Sequence, residues 1–151
     1  MIEVQTIGYG VSKFPGALVN NAAVTCTAID TVGVKRVTFV VILGATDIAL
    51  TALKLTESDD NSSYSDVSGS VFGTATNIDG TATSLPSSTD DNKVFVIDVA
   101  VNGLRKRYLK PAITVGNGTN GAYVTVLALK SQNENAPSTS TAYGAAHVVR
   151  V

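Results

Sequence analysis

The chain has little with which to do chemistry: one cysteine, one histidine and no tryptophan in 151 residues. The lone cysteine, Cys26, excludes an internal disulfide framework and any cysteine-rich zinc site. The lone histidine, His147, stands between Ala145-Ala146 and Val148-Val149, with no nucleophile or orienting acid beside it. Charge is scarce as well. Charged residues make up 15% of the chain, against roughly 25% in an ordinary soluble domain. Eleven basic residues face twelve acidic ones, for a net charge of -1. Phosphate recognition needs a marked basic excess, so nucleic acid is excluded as a partner. No apolar run approaches the ~20 residues that span a bilayer, and a membrane role is not expected. The opening residues, Met1-Ile2-Glu3-Val4-Gln5, lack the basic and then apolar regions of a secretory signal, so a product of the cytoplasm is expected.

What is present points to strands. Hydrophobic residues are 44% of the chain, enough for a core, and Val, Ala, Thr and Ser dominate. Branched side chains at Val and Thr fit a pleated surface. The length suits one domain. We read residues 1–20 as an N-terminal strand (Glu3 to Ile7) and an irregular arm (Ile7 to Asn20), and residues 21–151 as a single β domain.

Alternation places the strands. Residues 22–30 form one, with Val24, Cys26 and Ala28 on one side and Cys26 pointing inward as a small hydrophobe. Lys35 to Leu43 forms the next, with Val37, Phe39, Val41 and Leu43 on one face. Val40 and Ile42 make its other face apolar too, which predicts a central strand, or one covered on both sides by a second sheet or a partner chain. Ile48 to Glu57 changes parity, and a bulge near Thr51-Ala52 reconciles its two halves. Tyr64 to Val71 is a short strand. Residues 73–92 are a long polar loop. Lys93 to Asn102 carries Phe95, Ile97, Val99 and Val101 on one face. Asn102-Gly103 predicts a two-residue hairpin into Arg105 to Thr114, where Pro111 requires an edge or a bulge. Ala122 to Lys130 and Ala145 to Val151 complete the set. Short strands at this spacing predict an all-β, two-sheet sandwich or barrel.

Candidate sites are few. Asp59-Asp60-Asn61 with Asp66 offers oxygen ligands of the kind Ca²⁺ takes. It lacks the alternating carboxylates of an EF-hand, and Asp and Asn start turns without metal. A plain turn and no metal ligand are expected. Asp98 lies inside an apolar strand. A Cys26–His147–Asp98 triad can be written down, but no spacing joins the three. No catalytic residue, enzymatic activity or cofactor is expected. Arg105-Lys106-Arg107, with Lys110, is the densest basic segment. It reads as a solvated strand edge or as a docking site for an acidic protein surface.

Three stretches carry a resemblance. They are Leu50 to Ser70 (LTALKLTESDDNSSYSDVSGS), Val94 to Val99 (VFVIDV) and Arg107 to Lys110 (RYLK). Together they resemble a family of small tailed-bacteriophage virion proteins, over roughly residues 35 to 130. The resemblance implies a jelly-roll-like sandwich serving as a capsid decoration, or cement, protein. Such a protein is made in the host cytoplasm and sits on the capsid surface. It binds the major capsid protein, as a homo-oligomer (trimer or dimer), and stabilises contacts between coat subunits. No binding motif carries over residue by residue. For partner contacts we single out Phe14 and Pro15 as arm anchors, and Arg105 and Arg107 as polar docking groups. Two alternatives are a tail or baseplate-associated β-domain and a carbohydrate-binding sandwich module. The second is weakened by an aromatic content of 6%.

Overall fold

In a computed structural model, residues 8–13 and 17–133 are described. Eight strands form: β1 (Gly8–Lys13), β2 (Ile29–Asp30), β3 (Val34–Thr46), β4 (Leu50–Ser58), β5 (Ser65–Asp66), β6 (Val94–Ala100), β7 (Tyr108–Val115) and β8 (Ala122–Asn133). Among the described residues there is no helix. The strands pair as a nested series, β1 with β8, β2 with β7, β3 with β6 and β4 with β5, all antiparallel. β8 also pairs with β3, and β7 with β4. Two four-stranded sheets result, ordered β1-β8-β3-β6 and β2-β7-β4-β5. Every step along the chain except β4 to β5 crosses between them. This is a long hairpin rolled up on itself, the jelly-roll order of eight strands.

The core lies between the sheets. β3 sends Val37, Phe39, Val41 and Leu43 inward, all wholly buried. Leu53, Leu55, Leu109, Ile113 and Val115 face them from the second sheet. Phe39 stands in register with Ile97 on β6 and Ala128 on β8. The bulkiest core side chain therefore has one of the smallest beside it, which lets the layer fill without strain.

The bulge foreseen near Thr51-Ala52 is present, as a register shift between Leu50 and Ala52 against β7. Leu50, Leu53 and Leu55 are all buried as a result. β3 is internal, between β8 and β6. Several details differ from the sequence reading. Asn102-Gly103 does not close a hairpin, because β6 pairs with β3 and β7 lies in the other sheet. Burial of both inner faces outweighs the local turn preference. Pro111 is wholly buried opposite Leu55 in an internal strand. Along the β2 side of β7, pairing covers Leu109 and resumes where the Val24 N–H donates to the Ile113 carbonyl at 2.8 Å. Pro111 falls in that gap, so no ladder bond is lost. Residues 22–30 form only the short β2 and a bridge at Ala23. The strand expected over 64–71 shrinks to β5.

The stretch read as an irregular arm contributes β1, an edge strand on β8 with a register shift between Val11 and Lys13. The long loop before β6 is closely held. The Leu50 N–H donates to the Pro86 carbonyl at 3.0 Å, and the Phe72 ring meets the Phe95 ring edge-on at 6.1 Å.

Candidate interaction surfaces

The two sheets turn very different outer faces to solvent. On β2-β7-β4-β5, outward positions include Lys54 and Lys110, with Thr56 in register with Lys110 but buried, its hydroxyl donating to the Lys110 carbonyl at 2.7 Å. Lys54 pairs with Asp66 at 2.7 Å, and the Lys110 ammonium sits 3.6 Å from the centre of the Tyr64 ring. This face is polar, and its cations are engaged within the chain.

On β1-β8-β3-β6 the outer face that β8, β3 and β6 present is largely apolar. Register sets Val96, Val40 and Leu127 in one row across three strands, and Val94, Ile42 and Thr125 in the next. Val94 is 55% exposed, Val96 51%, Tyr123 42% and Ile42 40%. The Tyr123 side chain lies against Gly44, where an added Cβ would come within 3.1 Å of the Tyr123 Cβ. Among the described residues, a charged cluster borders the face. Asp98 accepts two hydrogen bonds from the Arg36 guanidinium, and a third from the Thr38 hydroxyl at 2.9 Å. Burial alone raises the Asp98 carboxyl, and the Arg36 and Thr38 bonds outweigh it, leaving it below its ordinary value. The margin is therefore neutral in sum.

A second surface forms at the end of the sandwich where β2 meets β3 and β6 meets β7. Val32 and Leu104 are exposed at 66% and 75%. The basic segment joins them on the connecting loop ahead of β7, and not on a strand as the alternation suggested. Arg105 lies 3.6 Å from Glu57. Arg107 donates two bonds to Asp30, at 3.0 and 2.7 Å, and its guanidinium lies 5.0 Å from the centre of the Tyr108 ring. The Arg107 bonds hold the Asp30 carboxyl below its usual range. Both docking residues singled out in the sequence thus sit at one end of the molecule, each beside an internal acid.

The acidic turn satisfies itself. Asp60 Oδ1 accepts from the Ser63 N–H at 2.8 Å, the Ser58 hydroxyl at 2.7 Å and the Ser62 N–H at 2.9 Å. These donors hold the carboxyl well below the usual carboxylate range. Among the described residues no three His, Cys, Asp or Glu side chains gather as metal ligands. Cys26 is half-buried against the core, on the side its alternation assigned. Asp98 points outward from the other sheet, so these two members of the written triad are not brought together. Phe14, Pro15 and His147 lie outside the described residues.

The extent of the apolar outer face was missed in the sequence. Its signals were there: both parities of Val94-Phe95-Val96-Ile97 are apolar, and the bulkier set of β8 (Tyr123, Leu127, Leu129) turns away from the core. No protein-family model, curated protein or solved structure matches the chain.

Proposed function

We propose that this chain is a non-enzymatic structural protein of a tailed-phage virion, a cement subunit that decorates the outer capsid and holds neighbouring coat subunits together. The observation that carries the reading is the contrast between a well-filled jelly-roll core and the wide uncharged face left on one sheet. A free monomer rarely exposes such a face, whereas a component of a permanent assembly does. The resemblance over residues 35 to 130 supplies the class of assembly. The coat contact is assigned to the loop end bearing Val32, Leu104, Arg105 and Arg107, with Phe14 and Pro15 as anchors in the N-terminal segment. Repeated copies on one particle make individually weak contacts effectively lasting through avidity. The major capsid protein and further copies of this chain are the partners in this reading.

Purified protein mixed with undecorated heads is expected to bind saturably, at a stoichiometry set by the shell's symmetry. Leu104→Asp should weaken that binding at least tenfold without changing the circular dichroism spectrum. Absence of binding to heads, or binding to tails alone, overturns the proposal.

A further inference from the structure

The outer face of the β1-β8-β3-β6 sheet has the shape and chemistry of half a sheet-on-sheet interface. Its central rows are Val96-Val40-Leu127 and Val94-Ile42-Thr125. The most exposed members, Val94 and Val96, lie on β6, and Tyr123 extends the face toward the β3–β4 turn. The opposite sheet shows what this chain does with a face meant for water: it places Lys54 and Lys110 there. The same treatment is missing from the first sheet.

From these observations we infer that this face packs on the same face of a second copy, forming a two-fold, face-to-face dimer. Charge argues for that occupant. Among the described residues, the charges bordering the rows are Asp98 and Arg36, which neutralise each other, so these rows offer little to a charged partner. A second copy presents an identical uncharged surface, and two-fold symmetry requires only such self-complementarity. Branched aliphatic side chains on both faces interdigitate at the ~10 Å spacing of stacked sheets.

Area agrees. Four strands at ~4.8 Å and about seven residues at ~3.3 Å make a face on the order of 450 Å². Two copies then hide on the order of 900 Å², close to the ~1,000 Å² lower bound for a specific interface. The dimer is accordingly expected to be modest in affinity, dissociating in the micromolar range. The inference does not depend on the virion reading, since it concerns the purified chain by itself.

Sedimentation velocity from about 1 to several hundred micromolar tests it, and the expected result is a reversible monomer–dimer equilibrium. The double variant Ile42→Lys/Val96→Lys should weaken dimerisation at least tenfold. The counterpart Ile42→Glu/Val96→Glu should do the same. Mixing the two should restore a heterodimer, because opposite charges then meet across the same face. That restoration cannot come from misfolding of either variant. A monomer throughout the range overturns the inference. So does a dimer that both variants leave intact, since it would use another surface. A monomer that dimerises only when residues 134–151 are removed also overturns it, by showing that the chain's own end covers the face.

Discussion

Gly121 shows how much one residue can decide. It precedes β8 with φ at +106°, and an added Cβ would overlap the Val19 carbonyl oxygen and come within 2.8 Å of the Asn20 Cβ. That carbonyl accepts the Ala122 N–H at 2.9 Å, and the Val19 N–H donates to the Ala122 carbonyl at 3.0 Å. The Gly121 N–H is itself taken by Asp47 at 2.8 Å. Gly121→Ala therefore meets two penalties, a left-handed backbone and a collision with backbone that cannot rotate away. It is expected to cost about 3 kcal/mol or more in urea unfolding. A loss below about 1 kcal/mol would show that the 17–20 segment yields. Phe39 is the corresponding test inside the core. It is wholly buried between Ile97 and Ala128, so Phe39→Ala should cost about 3–5 kcal/mol, read as a shift of the urea midpoint at unchanged slope.

At the scale of elements, the sequence was most readable where alternation and burial agree. β3 and β6 each bury the face that a period of two assigns, and the parity switch in β4 located its bulge. It was least readable where a local signal competed with packing of the whole chain. Asn102-Gly103 favours a tight turn, but a hairpin there would leave β6 and β7 in one sheet and remove Leu109, Ile113 and Val115 from the layer that faces β3. The short pairing of residues 22–30 has a similar cause, since Pro111 cannot extend the ladder on that side. For the candidate surfaces, residue type located Arg105 and Arg107 at one place but could not reveal their acids, because Glu57 and Asp30 are distant in sequence. β1 was hidden by its glycines. Gly10 stands where an added Cβ would come within 2.8 Å of Ile29 Cδ1, so this glycine admits a close approach of the two sheets and does not mark an arm. Deleting residues 1–13 should therefore destabilise the fold, whatever its effect on the attachment proposed above. It strips the edge from β8 and uncovers Ile29, and is expected to lower stability by about 2–4 kcal/mol, a fall in Tm of roughly 5–15 °C by calorimetry. A deletion that left Tm unchanged would mean β1 contributes nothing to the fold.

For the whole molecule, the scarce charges act as fasteners between loops, and this sets its response to pH. Asp47 accepts from the Asn120 and Gly121 N–H groups and ties the turn after β3 to the one before β8. Asp60 closes its own turn, and Asp90 accepts from Lys93 and from the Ser87 N–H and hydroxyl. These bonds lower each carboxyl, Asp90 to about 2 with the Lys93 bond the largest cause. A carboxyl lowered on folding contributes stability that is fully present above its unfolded value, about 3.9, and is lost as pH falls through the folded value. Asp30 and Asp98, held by Arg107 and Arg36, act with the same sign. At the alkaline end Tyr64 is raised, first by burial and then by Asp60 and Tyr108. A group raised on folding contributes below its unfolded value, about 10, and that contribution is lost as pH rises through the folded one. Within the described residues, stability is therefore expected to be nearly level from pH 5 to pH 9, to fall steeply below about pH 4, and to fall again above about pH 10. Thermal melts at fixed ionic strength across that range measure it. A stability maximum at pH 3 to 4 would contradict the carboxylate assignments, because protonation would then strengthen the loops that these bonds hold. The level middle of the profile suits the shell role proposed above, in which contacts would have to last through changes of surroundings.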